Sequence, residues 1–266
     1  MKDVDGDCAV MMALYMNHLD VVRYLVGMGA GLHVLNKKGL CPLLWACQEG
    51  RNDVVDMLIA AGAQGSVANN NGTTGLHLAT ESGHIGIVDT LLTASGVYVD
   101  AQDASMTTSL HIAVRNGRNR LVGLFLEHGA DAGIANRRGQ TALILACQAG
   151  QIDTALLLIK LVGPGLNVNY TDSEGWSALH WAVANGMTDV VSHLIDAIPD
   201  LQIDQRTEKE NQTPLILAAK EGFQHIVYLL LMNGADCNFD PGDGCTALYW
   251  AGENDHKNIV QILIEA

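Results

Sequence analysis

The chain has 266 residues, 48% hydrophobic and 17% charged, a composition that excludes a disordered polypeptide and fits one that buries a core. A formal net charge of −14 excludes the positive potential that phosphate backbones require, so nucleic acid is not expected as a partner. No run approaches the roughly 18 consecutive apolar residues of a membrane helix, and the acidic start from Met1 to Asp7 does not open a signal peptide; the expectation is a soluble cytoplasmic protein, the nucleus left open, with no membrane insertion.

In chain order, one unit recurs eight times. Its anchor is an aliphatic residue at Val10, Leu43, Leu76, Leu110, Leu143, Leu179, Leu215 and Leu248, with steps of 33, 33, 34, 33, 36, 36 and 33 residues. Three residues on, every unit carries alanine, from Ala13 to Ala251, as closely packed helices require. At plus seven stand Asn17, Gly50, Gly83, Gly117, Gly150, Gly186, Gly222 and Asp255, residue types that tolerate positive φ and stop a first helix. Apolar residues then return at plus 11, 12, 15 and 16 (Val54, Val55, Leu58 and Ile59 in the second unit), the face of a second amphipathic helix. Gly29, Gly62, Gly129 and Gly234 end that helix, and Asn36, Asn70, Asp103, Asn136 and Asp172 favour turns in the polar link that follows.

The first helix starts at a cap two residues before the anchor: Thr74, Thr108, Thr141, Ser177, Thr213 and Thr246, with Pro214 at the first helical position of its unit. Cys8 and Cys41 replace the cap in the first two units, which weakens those helix starts by about 1 kcal/mol each. Approximate repeats are 3–35, 36–68, 69–102, 103–135, 136–171, 172–207, 208–240 and 241–266. A unit of this size cannot bury its own apolar face, so its neighbours must.

The run from Gly72 to Ala79, the Thr213-Pro214-Leu215 start and the Gly-Ala-Asp runs at 129–131 and 234–236 resemble the ankyrin repeat, and the resemblance covers nearly all of the chain. It implies an all-α solenoid of helix-turn-helix units joined by β-hairpin-like loops, forming one array with a concave face. It also implies that His77, His111 and His180, which share one slot beside the cap, tie a repeat to its neighbour.

Three departures stand out. Met106 and Asn211 take the slot of the glycine before the cap, and methionine there predicts a rearranged loop tip. The fifth and sixth units are longer, with Pro164 and Pro199 in the added segments, so their second helices are expected to end differently. The first helix, from Val10 to Met16, is apolar almost all round and the last unit stops before its Gly-Ala-Asp position; the expectation is a segment of a longer array.

No metal, nucleotide or nucleophile motif is present, so no cofactor and no catalysis are expected. The six cysteines follow neither disulfide nor ligand spacing and read as reduced thiols, with Cys47 and Cys147 in the core. Trp45, Trp181 and Trp250 share one slot and read as packing residues.

What remains is a monomeric protein-binding scaffold. Its expected contact patch is Arg137, Arg138, Gln140, Gln148, Trp176 and Asn185, with Trp176 as an exposed apolar anchor and the arginines pairing acidic groups. Tyr15, Met16 and Leu40 form a second candidate patch. Two alternatives are the docking arm of a larger enzyme, a kinase or ubiquitin ligase, and the cytoplasmic domain of a membrane protein.

Overall fold

The computed structural model describes residues 3–163 and 166–266. Among these residues it is all-α, and its helices come in pairs. The pairs are α1 (Ala9–Tyr15) with α2 (Leu19–Gly27), α3 (Pro42–Glu49) with α4 (Asn52–Ala60), α5 (Gly75–Ser82) with α6 (Ile85–Thr93), and α7 (Ser109–Arg115) with α8 (Asn119–Glu127). They continue with α9 (Ala142–Gln148) and α10 (Ile152–Val162), α11 (Ala178–Ala184) and α12 (Thr188–Ala197), α13 (Pro214–Glu221) and α14 (Gln224–Met232), and α15 (Ala247–Glu253) and α16 (Lys257–Glu265). The helices fall into two compact units of four pairs, one ending at Ala130 and the other beginning at Asp131.

Each pair forms for the reasons written in its sequence. Thr108, Thr141, Ser177, Thr213 and Thr246 accept the backbone N–H three residues on, whereas Cys8 and Cys41 make no side-chain cap. At the helical stop all eight residues are left-handed, Asn17 and Asp255 both at φ 56°. Glycine is also required there for room in places: a Cβ on Gly186 would lie 2.9 Å from the Phe223 ring of the next repeat.

Within unit 2, α9, α11, α13 and α15 pack in succession as one layer and α10, α12, α14 and α16 as another; unit 1 is built the same way from α1–α8. The end repeats reveal what each slot faces. Leu248 is 41% exposed while its counterpart Leu215 is 1% exposed, so the anchor packs on the following repeat. Val21 is 44% exposed while Val54 is fully buried, so the plus-11 slot packs on the preceding one. The core is thus carried in the interfaces between repeats.

The links are turns with little sheet character, and isolated antiparallel bridges join Ala68 to Thr74 and Thr171 to Ser177. Met106 does not rearrange its tip. It sits at φ 58° with the same backbone bonds, Met106 N to Asp103 O and Asp103 N to Thr107 O, that Gly39 uses with Asn36 and Leu40. The loop bonding therefore outweighs the cost, about 1–2 kcal/mol, of a side chain in the left-handed region. The longer units do end differently: α10 has 11 residues and stops at Gly163, and α12 has 10 and runs into an extended Ile198. Pro164 lies outside the described residues.

Candidate functional site

In unit 2 the loop tips touch in sequence order. Ser173 N donates to the Arg138 carbonyl at 2.8 Å, a Cβ on Gly175 would meet Glu208 at 2.5 Å, and Asn211 Nδ2 donates to the Pro241 carbonyl at 2.9 Å. Arg137 and Arg138 are exposed on the first of these tips. Trp176 stands behind the second, half-buried, its ring 4.5 Å from the Trp181 ring at an interplanar angle of 37°. Asp172 holds both tryptophans in place: one carboxylate oxygen accepts the Trp176 backbone N–H at 3.0 Å and the other the Trp181 indole N–H at 2.9 Å.

Ala184 lies one helical turn beyond Trp181 on the same face of α11. In the seven sibling repeats this slot holds a long side chain: Tyr15, Gln48, Glu81, Arg115, Gln148, Lys220 or Glu253. Repeat six alone is short there, and it alone has tryptophan before the cap. Repeat six thus presents two partly buried indoles beside a short side chain, with Gln148 and Lys220 in the matching slots of the repeats on either side.

Three of the expected contact residues meet, with consequences the sequence did not convey. Gln140 Nε2 donates to Gln148 Oε1 at 2.7 Å, and Asn185 Nδ2 donates to the Cys147 carbonyl at 2.8 Å. Gln140 is 5% exposed, so the expectation of an exposed contact there is corrected. A side chain in its slot folds back over the first helix to the residue eight positions on, and Gln140 also accepts from Asn136 Nδ2. Asn185 and Gln148 are exposed, but Asn185 satisfies a carbonyl at the end of α9 and so has a structural duty. Asp172, Trp181 and Ala184 were missed; the signal for Ala184 was the comparison of its slot across repeats.

The second patch behaves differently. Tyr15 and Met16 are 41% and 64% exposed, but Leu40 is 9% exposed, a correction with the same cause as Gln140, because its slot lies under the folded-back loop. Tyr15 packs edge-on against Trp45 at 5.6 Å, and its hydroxyl donates to Asp7 at 3.2 Å. Asp7 also accepts from Asn36 Nδ2 at 2.7 Å. Desolvation first, and the Asp7 charge second, push the Tyr15 phenol up to about 12.

The shared histidine slot does tie layers in unit 1. The Thr74 N–H can only donate, and it donates to His77 Nδ1 at 3.2 Å, so Nδ1 is the acceptor and Nε2 carries the proton. Nε2 then donates to the Thr107 carbonyl of the next repeat at 3.0 Å. His180 repeats the cap geometry with Ser177, but its Nε2 has no acceptor in bonding geometry among the described residues. Burial lowers its pKa to about 4, and the Gln212 and Gln205 backbone offsets this only in part. Both rings are neutral wedges, unsuited to shuttle protons near neutral pH. Burial likewise pushes the Cys47 and Cys147 thiols up to about 12, and all six cysteines are free. Among the described residues no group of histidine, cysteine and carboxylate side chains is arranged to hold a metal ion.

The model of ankyrin repeats in three copies matches residues 10–103, 110–205 and 198–266. The chain belongs to the ankyrin repeat family. Ankyrin-repeat relatives include the mouse B-cell lymphoma 3 protein homolog, 31% identical over 63% of this chain and 37% of its own length. Another is the Arabidopsis thaliana E3 ubiquitin-protein ligase XBAT33, 32% identical over 60% of this chain and 29% of its own. The chain therefore spans about a third of the length of the curated relatives it matches. Among solved structures it is similar to the ankyrin repeat domain of Bcl-3, with a TM-score of 0.74, 28% identity, and coverage of 85% of this chain and 99% of that one. Ankyrin repeats are in general protein-interaction modules. No helix among the described residues is long and apolar enough to cross a membrane.

Proposed function

We propose that the tip-bearing face of unit 2 binds a protein or peptide partner and that the chain works as a monomeric, non-catalytic scaffold in the cytoplasm or nucleus. One observation carries this reading: Trp176, half-buried and packed against Trp181 with ring centroids 4.5 Å apart, stands beside a slot that only this repeat leaves short. A large aromatic held in place by Asp172 and the neighbouring indole loses little entropy on contact, and such residues dominate interface energies. Arg137 and Arg138 add exposed guanidinium groups for carboxylates, and Gln148 and Asn185 supply polar rim. Tyr15 and Met16 in unit 1 are a second, weaker contact.

Capture of partners from a native lysate with the wild-type chain and with Trp176→Ala tests this. The expected result is loss of a captured protein, with affinity reduced about thirtyfold for a hot-spot cost of about 2 kcal/mol, while the far-ultraviolet circular dichroism is unchanged. A partner retained at full affinity by Trp176→Ala would remove this site.

A second reading places the array as the docking arm of a larger enzyme. It is favoured by the likeness to a ubiquitin ligase of which the matched region is 29%. The surface chemistry is the same in both readings.

A further inference from the structure

The tips of unit 2 differ in charge from one end of their row to the other. The tip of repeat five carries Arg137 and Arg138, neither in an ion pair among the described residues. The tip of repeat eight carries Asp240 and Asp243 and no cation. Between them, the two cations of tip seven are engaged: Arg206 lies over the Phe239 ring at 4.6 Å and Lys209 pairs with Glu174 at 3.8 Å. Glu208 and Glu210 are exposed and have no cationic partner among the described residues. The row runs from basic to acidic, with Trp176 one repeat in from the basic end.

Spacing then sets the length of an occupant. Helix layers lie about 10 Å apart, so three steps cover about 30 Å. An extended chain spans that with about nine residues, whereas a helix needs about twenty. Resting on the protein-binding reading above, we propose that this row takes an extended peptide segment of mixed charge, about nine residues long. Its acidic end lies over Arg137 and Arg138. A large apolar side chain, about three residues further along, packs on the partly exposed Trp176 ring beside the short Ala184. Its basic end lies over Glu208, Glu210 and Asp243. A uniformly acidic or uniformly basic segment meets like charge at one end of the row, which costs affinity and gives the site its selectivity.

The test is selection of a random twelve-residue phage-displayed peptide library on the full chain at about 0.1 M salt, where the screening length is about 10 Å. Enriched peptides are expected to carry Asp or Glu about three residues from a large apolar residue, and Lys or Arg about three to six residues beyond it. The double variant Arg137→Glu with Arg138→Glu is expected to weaken those peptides by about fivefold, since two exposed pairs are lost. Reselection on that variant is expected to replace the acidic end by a basic one and leave the apolar preference in place. Enriched peptides without charge order, or unaffected by the double variant, overturn the inference while protein binding stands. Absence of enrichment over a carrier-only control also overturns it, because an extended segment is the claim. Failure of native-lysate capture is the separate result that removes the underlying reading.

Discussion

Unit 1 and unit 2 use the same slots and arrive at surfaces of opposite kind. In unit 1 the aromatic pair Tyr15 and Trp45 is tied down: the phenol donates to a buried carboxylate that also accepts from Asn36. In unit 2 the pair Trp176 and Trp181 is anchored at one edge by Asp172, while the slot beside it shrinks to Ala184. One network closes through the long side chain at the plus-five slot, and the other has only a methyl group there. A repeat protein can thus change its surface at one repeated position while the helix pairs keep their pattern. The formal charges differ too, since unit 2 holds the denser share of the 29 acidic residues. Its two adjacent arginines therefore stand against a negative background.

Acid is expected to weaken unit 2 more than unit 1. His180 has a folded pKa of about 4 against an ordinary value near 6.5, so between these values the unfolded chain binds the proton and the folded one does not. Stability is full above pH 6.5 and falls as the pH drops through 6.5 toward 4, by about 3 kcal/mol from this residue. His77 shifts in the same direction, burial first among its causes, and adds a smaller loss in unit 1. Urea unfolding at pH 7 and at pH 4.5, repeated with His180→Gln, measures it; an acid loss of the same size in the variant would show that His180 is not its source.

A comparable effect comes from the aromatic pairs. Trp45→Ala and Trp181→Ala each remove a half-buried indole at a cost of about 2 kcal/mol, but Trp181 also surrenders its bond to Asp172. Trp181→Ala is therefore expected to cost about 1 kcal/mol more, readable from paired urea midpoints. Equal losses would mean that the carboxylate does not hold the stack. Smallest is Tyr15→Phe, expected to cost about 1 kcal/mol by removing one donor to Asp7, which keeps its bond from Asn36. A thermal scan resolves a change of that size, and a neutral result would make the closed network of unit 1 a surface accident.

Most of the fold was legible because a repeat displays each structural duty many times over. Alanine at plus three, a left-handed residue at plus seven and a hydroxyl at the cap recur at fixed spacing, and each is dictated by backbone geometry within a single repeat. Met106 departs from that pattern in residue type only: its tip keeps the left-handed turn because the Asp103 and Thr107 bonds outweigh the strain. The candidate site was less legible. Gln140 and Leu40 occupy a slot that looks exposed from its variability, yet both are buried, since the loop folds back and the variable residue faces the helix.

The sequence by itself determined the family, the helix pairs, their caps and stops, the reduced core thiols and the prominence of Trp176. These follow from local periodicity and from residue types that only one backbone conformation suits. Only the tertiary structure decided which slots face the preceding repeat and which the following one, that Asn185 caps the helix before it, and that His180 lacks the acceptor His77 has. It also decided that the tips of unit 2 form a row in contact, from Arg138 through Ser173 and Glu208 to Pro241. Such relations join residues some thirty positions apart in sequence, and their distances are set by how one repeat stacks on the next, which no pattern inside a single repeat encodes.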